Sequence, residues 1–439
     1  MPDKPRNHDK MVVPGDYNLN SLVLTSYNGF TIDLQPLLLE FVLHEDIYQN
    51  TLSGQLTIGE NVNLIKHVPL IGNEILKVQF KTASREDEIS KKFFIYKIEN
   101  KLSLGEKQNV YTLKFCSQEF INSQQSKISK SFQNTKISEM VGVIYENYLQ
   151  SDSSKSLIAQ TTLFPKNIVI PYQSPLSAIN WLAKRAVSQD TKDFSYLFYE
   201  TMDGFFFNTI NYSAKTSKTP IKTYQYYITG HYKDGFDTRN LDEEFSRIES
   251  YEIISLNNTL NNIAGGVFAS KLLTHDITFK KYSTTNFAYN PDFAELTRIN
   301  ESGILPRNGD IFSDRAYSHF SFYPKHSYLH DDIIDSDEYD VFVQKRLAHM
   351  GSFDTLRLQI QINGDSNRRV GDIIEVKLFS TEPKPISMPD IFDPYLSGNY
   401  LITRVTHIFS KSSYKMKLQL EKDSLNEAYP EQKNIVDKS

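Results

Sequence analysis

The chain has 439 residues, enough at roughly 150 residues per domain for about three cores without disulfide staples. With 39% hydrophobic and 23% charged residues, its composition is that of a globular protein and excludes a largely disordered chain. Its 48 basic and 53 acidic residues leave a formal net charge of -5, without the basic surplus of a nucleic-acid binder.

The first residues, Met1 to Lys10, are polar and charged, with no apolar central run, so they do not read as a secretory signal. Nowhere do about 18 apolar residues follow one another, so no membrane insertion is expected. Residues 1–16 read as a flexible arm. From Tyr17 to about Gln118 the pattern is β. Leu52-Ser53-Gly54-Gln55-Leu56-Thr57-Ile58, Ile75-Leu76-Lys77-Val78-Gln79-Phe80 and Tyr111-Thr112-Leu113-Lys114-Phe115 alternate with period two, one face for a core and one for outside. Several short strands joined by loops predict a first antiparallel barrel or sandwich over 17–118. Cys116, the single cysteine, ends the last of these strands and reads as a structural position.

The period then changes. Ile137, Met140, Val141, Ile144, Tyr145, Tyr148 and Leu149 form one helical stripe. Ser174-Pro175 predicts a helix start, with Ser as cap and Pro in the first turn. Its buried face would be Leu176, Ile179, Leu182, Ala183 and Ala186, with Trp181 at the edge. Tyr196–Glu200 and Phe205–Asn208 flank an Asp203-Gly204 turn, a hairpin signal. Residues 119–235 therefore read as an α+β domain. Strands return at Arg247–Ile253 and after Gly265-Gly266. Residues 282–335 carry few regular signals, and a helix is expected over about Ser336 to Met350, so 282–350 read as a loop-rich insertion with a helix. Strands follow at Leu356–Ile362, Asp372–Phe379, Tyr400–His407 and Tyr414–Leu420. Residues 236–281 plus 351–425 thus form a second, split barrel, and 426–439 a polar tail.

A faint internal repeat runs through these strands. Gly72-Asn73-Glu74-Ile75-Leu76-Lys77-Val78-Gln79-Phe80 is matched by Gly371-Asp372-Ile373-Ile374-Glu375-Val376-Lys377-Leu378-Phe379. Phe93–Ile98 answers to Tyr400–Val405, and Tyr111–Phe115 to Tyr414–Leu418. The expected fold class is therefore α+β, mainly β, with two similar antiparallel β-barrels separated by smaller α+β domains. Two similar barrels per chain, taken three times about an axis, would give six similar units in a ring.

Four stretches in this order resemble a known family, the baseplate hub proteins of contractile, T4-like phage tails. Those hubs are related to the N-terminal part of type VI secretion spikes. The stretches are Phe41–Phe80; Tyr111–Phe132 with the helix that follows; Ser174–Ala183; and the C-terminal set Ile362–Asp365, Val370–Asp372, Leu396–Ile402 and Val405–His407. None is a catalytic motif, so the specificity lies in their order. The resemblance implies a homotrimer with two tube barrels per subunit that fits the six-fold tail tube to the three-fold central spike. It implies as partners the spike, a tube or tube-initiator protein and the tape-measure protein, with DNA only as cargo through the lumen. A mildly negative wall would let DNA pass by repelling phosphate. The expected location is the virion tail baseplate, assembled in the host cytoplasm. The sequence ends soon after the second barrel, without the oligosaccharide-binding-type module and β-helix of the secretion spikes. That favours a hub working with a separate spike chain.

The sequence carries no familiar catalytic motif. There is no phosphate-binding Gly-rich loop, no His-Glu-x-x-His and no Gly-x-Ser-x-Gly. His326 and His330 stand four apart beside Asp331 and Asp332, but Tyr323-Pro324-Lys325 reads as loop, so a solvated cluster is expected rather than a metal site. The acidic run on to Asp335, Asp337, Glu338 and Asp340 reads as an exposed face and helix start. His407 reads as a structural histidine at a strand end. No catalytic, cofactor or metal residues are assigned and no enzyme activity is expected. The alternatives are a tail-associated cell-wall hydrolase, whose two carboxylates could hide among 53 acids, or the hub part of a secretion or injection spike. The strand Phe205–Phe207 is an interface candidate, although aromatics of this kind are more often core.

Overall fold

The computed structural model describes residues 15–61, 70–104, 108–150, 155–191, 193–212, 220–226, 245–276, 279–289, 298–304, 320–325, 339–380, 392–411 and 413–428. The first sheet contains β1 (Tyr17–Thr25), β2 (Thr31–Asp33), β3 (Leu38–Asp46), β4 (Ser53–Glu60), β5 (Ile75–Thr82), β6 (Arg85–Leu104) and β7 (Gln108–Cys116). The alternation works as expected: Leu56, Ile58, Leu76, Val78, Phe80, Tyr111, Leu113 and Phe115 all point into one core. Gly54 is required there. A Cβ on it would lie 2.2 Å from the Val42 carbonyl and 2.4 Å from the Phe115 ring.

Next come α1 (Gln118–Gln125), β8 (Ile128–Thr135), α2 (Ile137–Ile144), β9 (Leu157–Ala159), β10 (Lys166–Gln173), α3 (Pro175–Ala183), β11 (Tyr196–Thr201) and β12 (Gly204–Thr209). The stripe of α2 runs on through a π-turn at Tyr145–Leu149 and packs with α3 and the hairpin β11–β12 in a second core. Within that core lie Phe198, Phe205 and Phe207, so the aromatic strand considered as an interface is interior. Pro175 opens α3 as expected, but Ser174 does not cap it. Its hydroxyl donates to Ser177 Oγ at 2.7 Å, and the Leu176 N–H is taken instead by Ser123 Oγ of α1.

The remaining elements are β13 (Thr223–Tyr226), β14 (Arg247–Leu256), α4 (Thr259–Ala264), β15 (Ala269–Asp276), β16 (Lys281–Ala288), β17 (Ser302–Gly303), β18 (Phe320–Lys325), α5 (Tyr339–Ser352), β19 (Leu356–Asn363), β20 (Ile373–Lys377), β21 (Gly398–Ser410), β22 (Tyr414–Lys422) and β23 (Ser424–Leu425). Strands β21-β20-β13-β14-β19-β22 close into a six-stranded barrel through the β21–β22 pairing. Two boundaries drawn from pattern need correction. Thr223–Tyr226, placed in the α+β domain, is a barrel strand. Ala269–Asp276, placed in the barrel, pairs with β16 and β18 in a separate sheet. The insertion is accordingly more regular than a loop-rich segment. Lys281–Ala288 carries mostly exposed polar residues and so lacks period-two apolar signal, but the backbone ladder to β15 makes it a strand.

The mainly β fold is present, with one closed six-stranded barrel and a first sheet of like strand order that no β1–β3 pairing closes among the described residues, and the likeness is one of register. The strand order β3-β4-β7-β6-β5-β1 in the first sheet matches β14-β19-β22-β21-β20-β13 in the second. Leu38 faces Ile58 as Ile248 faces Ile362, and both strands then shift register, before Glu40 and before Ser250. Ile95 faces Phe115 as Ile402 faces Leu420, and again both shift, before Lys97 and before Arg404. The Ile95 N–H donates to the Glu74 carbonyl at 2.8 Å, and the Ile402 N–H to the Asp372 carbonyl at 2.9 Å. Bulges re-aim strands at defined places, so their coincidence is more telling than a shared pattern of apolar residues. These registers correct the sequence alignment in two of its three strands. Ile75 corresponds to Ile373, not Ile374, and Leu113 to Leu418, not Met416. Adjacent apolar residues such as Ile373 and Ile374 leave the phase of a strand ambiguous. The sixth strands also differ, since β1 runs antiparallel to β5 whereas β13 runs parallel to β20.

Candidate functional site

The feature that gives this chain its shape is the joint between the two barrels. Strand β21 is 13 residues long. Its first residues pair with β20. Arg404–Ser410 then pair along that same edge with β3 of the first sheet, from Arg404 opposite Asp46 to Ser410 opposite Glu40. Both barrels therefore belong to one continuous sheet. Arg404 clamps Asp46 through Nε at 2.9 Å and Nη2 at 2.6 Å. His44 Nδ1 and Thr406 Oγ1 meet at 3.1 Å. Burial, with Arg404 and Lys114 nearby, pulls the His44 pKa down to about 4, so this ring is neutral at ordinary pH. On the apolar side Phe409 packs on Phe41, Phe80, Tyr17 and Tyr414. The Tyr17 hydroxyl donates to the Ser410 carbonyl.

Glu45, fully buried, ties three parts together. Its carboxylate accepts from the Met202 N–H of the hairpin turn at 3.0 Å and from the Val370 N–H of the second barrel at 3.4 Å. His407 Nε2 stands 3.5 Å away, with its Nδ1 2.8 Å from the Tyr414 hydroxyl. This places His407 in the joint as a buried structural residue. A second tie lies on the other side of β11. Lys155 bridges Glu119 at 2.7 Å and Glu200 at 2.8 Å, and Glu200 also accepts the Leu52 N–H of the first barrel at 2.9 Å. Burial pulls the Lys155 ammonium pKa down, but the two carboxylates outweigh it and leave it raised. Burial raises Glu200, against the pull of Lys155.

A polar cleft of about 490 Å³ opens where the β5–β6 turn, the hairpin turn and the 365–372 loop meet. Its walls include Arg85, Asp203, Arg368, Arg369 and Asp372. Asp203 takes Arg85 at 2.8 Å and Arg369 at 3.2 Å, so the opposite charges neutralise one another across the three parts. Burial raises the Asp372 pKa to about 6, against Arg368 and Arg369.

One cluster has the composition of a hydrolase triad. His349 Nδ1 lies 2.7 Å from Ser195 Oγ, and Nε2 lies 3.5 Å from an Asp423 oxygen. The Asn211 side-chain amide lies 2.9 Å from Nε2. Ser195 and Asp423 are fully buried and His349 is 1% exposed, so no substrate reaches them. Cys116 is likewise buried, and burial beside Glu200 and Glu119 pushes its thiol up to about 12. Among the described residues, no three His, Cys, Asp or Glu side chains are grouped as metal ligands. His326, His330 and the acids Asp331, Asp332, Asp335, Asp337 and Glu338 lie outside the described residues. Among those described, no helix is long and apolar enough to cross a membrane.

No family model matches the chain. A curated relative does, at 19% identity over 413 residues, 87% of this chain and 90% of its own length. It is named as a probable baseplate hub protein of Vibrio phage KVP40. The chain resembles a phage baseplate hub protein. Two crystal structures share its fold. A tail protein from Neisseria meningitidis aligns with a TM-score of 0.52 at 12% identity, over 94% of this chain and 99% of that one. A 43 kDa tail protein of prophage MuSo2 from Shewanella oneidensis aligns with a TM-score of 0.53 at 9% identity, over 93% and 100%.

Sequence reasoning did not assign Asp46, Glu45, Arg404, or the Lys155–Glu119–Glu200 group to any role. A signal existed for two of them. Glu45 follows Phe41 and Leu43 on one strand phase, and Glu200 follows Tyr196 and Phe198. A carboxylate on the core phase of a strand needs a buried partner. The identity of that partner is a matter of tertiary placement.

Proposed function

We propose that the chain is the structural hub of a contractile phage-tail baseplate. In this reading it forms a homotrimer whose six barrels make a ring, with the six-fold tail tube on one side and the three-fold spike on the other. Its partners are the central spike, a tube or tube-initiator protein and the tape-measure protein, with DNA crossing the lumen as cargo. It acts in the virion tail after assembly in the host cytoplasm, and it performs no catalysis. The observation that carries this reading is the pair of barrels with matching strand order and matching bulges, fused edge to edge through β21 and β3. A closed cyclic trimer of such two-barrel chains presents six quasi-equivalent units to a six-fold partner. The whole-length likeness to a protein named as a baseplate hub supports the same reading. End-on electron micrographs of the purified chain test it. Rings with three-fold symmetry and six peripheral lobes are expected, and a homogeneous monomer by native mass spectrometry, alone and with the spike protein, would overturn it.

A further inference from the structure

The chain as a whole is acidic, but its charge is unevenly spread. The hairpin β15–β16, residues 269–288, holds Lys271, Lys280 and Lys281 against one acid, Asp276. That acid is buried, and its carboxylate accepts the Phe279 N–H at 3.1 Å. The turn end of the hairpin stands in solvent. Phe279 and Tyr282 are 59% and 60% exposed, and Lys280 and Lys281 between them are exposed as well. Two aromatic rings and two ammonium groups thus lie within four consecutive residues. Neither ring belongs to any of the buried cores.

The hairpin has one face against a helix. Leu272 packs with Phe342 and Val343 of α5, and Phe287 with Ala348 of the same helix. Period two puts Lys271, Leu273 and His275 of β15 on the opposite face, with Tyr282, Thr284 and Asn286 of β16. These pair in register, Lys271 opposite Asn286, Leu273 opposite Thr284 and His275 opposite Tyr282. Tyr282, Thr284 and Asn286 are all exposed. The His275 and Tyr282 rings are stacked, with centroids 4.1 Å apart and planes 5° from parallel. Because β16 is an edge of its three-stranded sheet, no strand among the described residues covers the outer face of the Tyr282 ring. A further flat ring can therefore extend the stack.

We infer that the open face of β15–β16 binds single-stranded nucleic acid, with a base stacked on Tyr282 and the backbone phosphates beside Lys280 and Lys281. Exposed rings that take bases and ammonium groups that track phosphates are the combination that holds single strands, and open sheet faces commonly present it. Thr284 and Asn286 add hydrogen-bonding groups along the same strand face. A duplex keeps its bases stacked inside and offers the ring no free base face. An anionic membrane would also attract the lysines, but a coplanar ring pair flanked by Thr284 and Asn286 suits bases better than acyl chains. The inference concerns this hairpin alone and does not depend on the ring proposed above.

Fluorescence anisotropy tests the site, with the full chain titrated into a labelled oligothymidylate of about 15 nucleotides. Binding is expected, and a duplex of the same length should bind more weakly. Raising the salt from about 50 to 200 mM should weaken binding, because phosphate contacts release counterions. Tyr282→Ala should weaken it about fivefold or more, the share of one stacked base, whereas Tyr282→Phe keeps the ring and should not. Lys280→Glu combined with Lys281→Glu should weaken binding and flatten its salt dependence. Tyr172→Ala, at a tyrosine of β10 that is 74% exposed, should change nothing. Circular dichroism confirms that each variant folds. The inference is overturned by no binding, by equal affinity for the duplex, or by binding that Tyr282→Ala leaves unchanged. Uptake by phosphatidylglycerol vesicles in place of the oligonucleotide overturns it too.

Discussion

Replacing Lys155 with Met is the sharpest test of how the first barrel is fastened to the α+β core. The ammonium, with its side chain 11% exposed, holds Glu119 and Glu200, whose side chains are 0% and 1% exposed. Met fills the stem but leaves two carboxylates buried and facing each other. Breaking a buried ion pair from one side costs about 3–5 kcal/mol because the remaining charge is uncompensated. The loss depends on pH, with a sign that can be worked out. Burial already raises Glu200 above its ordinary value, and without the ammonium the main counterweight to that rise is gone. A group whose folded pKa is raised contributes stability at low pH, and that contribution is lost as pH rises through the folded value. Urea unfolding of Lys155→Met should therefore show its largest deficit at about pH 8 and a smaller one at about pH 5. The triple variant Lys155→Met, Glu119→Gln, Glu200→Gln should recover most of the stability, since a neutral site has no charge to bury. A loss below about 1 kcal/mol, or one that does not change with pH, would refute the reasoning.

Gly54→Ala should destabilise the first barrel by about 3 kcal/mol or more, the upper range for overpacking, because the new methyl meets the Val42 carbonyl in the paired strand; a variant that melts with the wild type would contradict the packing. Burial pulls the Lys422 pKa from 10.5 down to about 7, with its ammonium donating to the Tyr395 and Ser397 carbonyls. A depressed folded pKa means stability that is present above the unfolded value and is lost as pH falls towards the folded one. Between pH 10.5 and about 7 the wild type should therefore lose up to about 1.4 kcal/mol per unit that Lys422→Met retains; parallel pH profiles would count against it. Cys116 should resist Ellman's reagent in the native state and react fully in urea, and rapid native labelling would show that its strand opens.

The sequence by itself determined the elements and the presence of a repeat. Period-two runs such as Ile75–Phe80 located strands, and the stripe from Ile137 to Leu149 located a helix, because these patterns express which face meets a core. The order of similar segments pointed to two barrels. It missed α4, a helix of only six residues, half of them polar, and β16, whose ladder leaves little trace in apolar residues. Only the tertiary structure decided how the parts are joined. No local pattern says that β21 leaves β20 at Leu401 and takes up β3 at Arg404, because hydrogen bonds between strands use backbone groups that every residue carries. Nor does composition say which of the many acids Lys155 and Arg404 will meet. Those pairings are set by residues as much as 393 positions apart being brought within a few ångströms, as with Tyr17 and Ser410, and distance along the chain hides them.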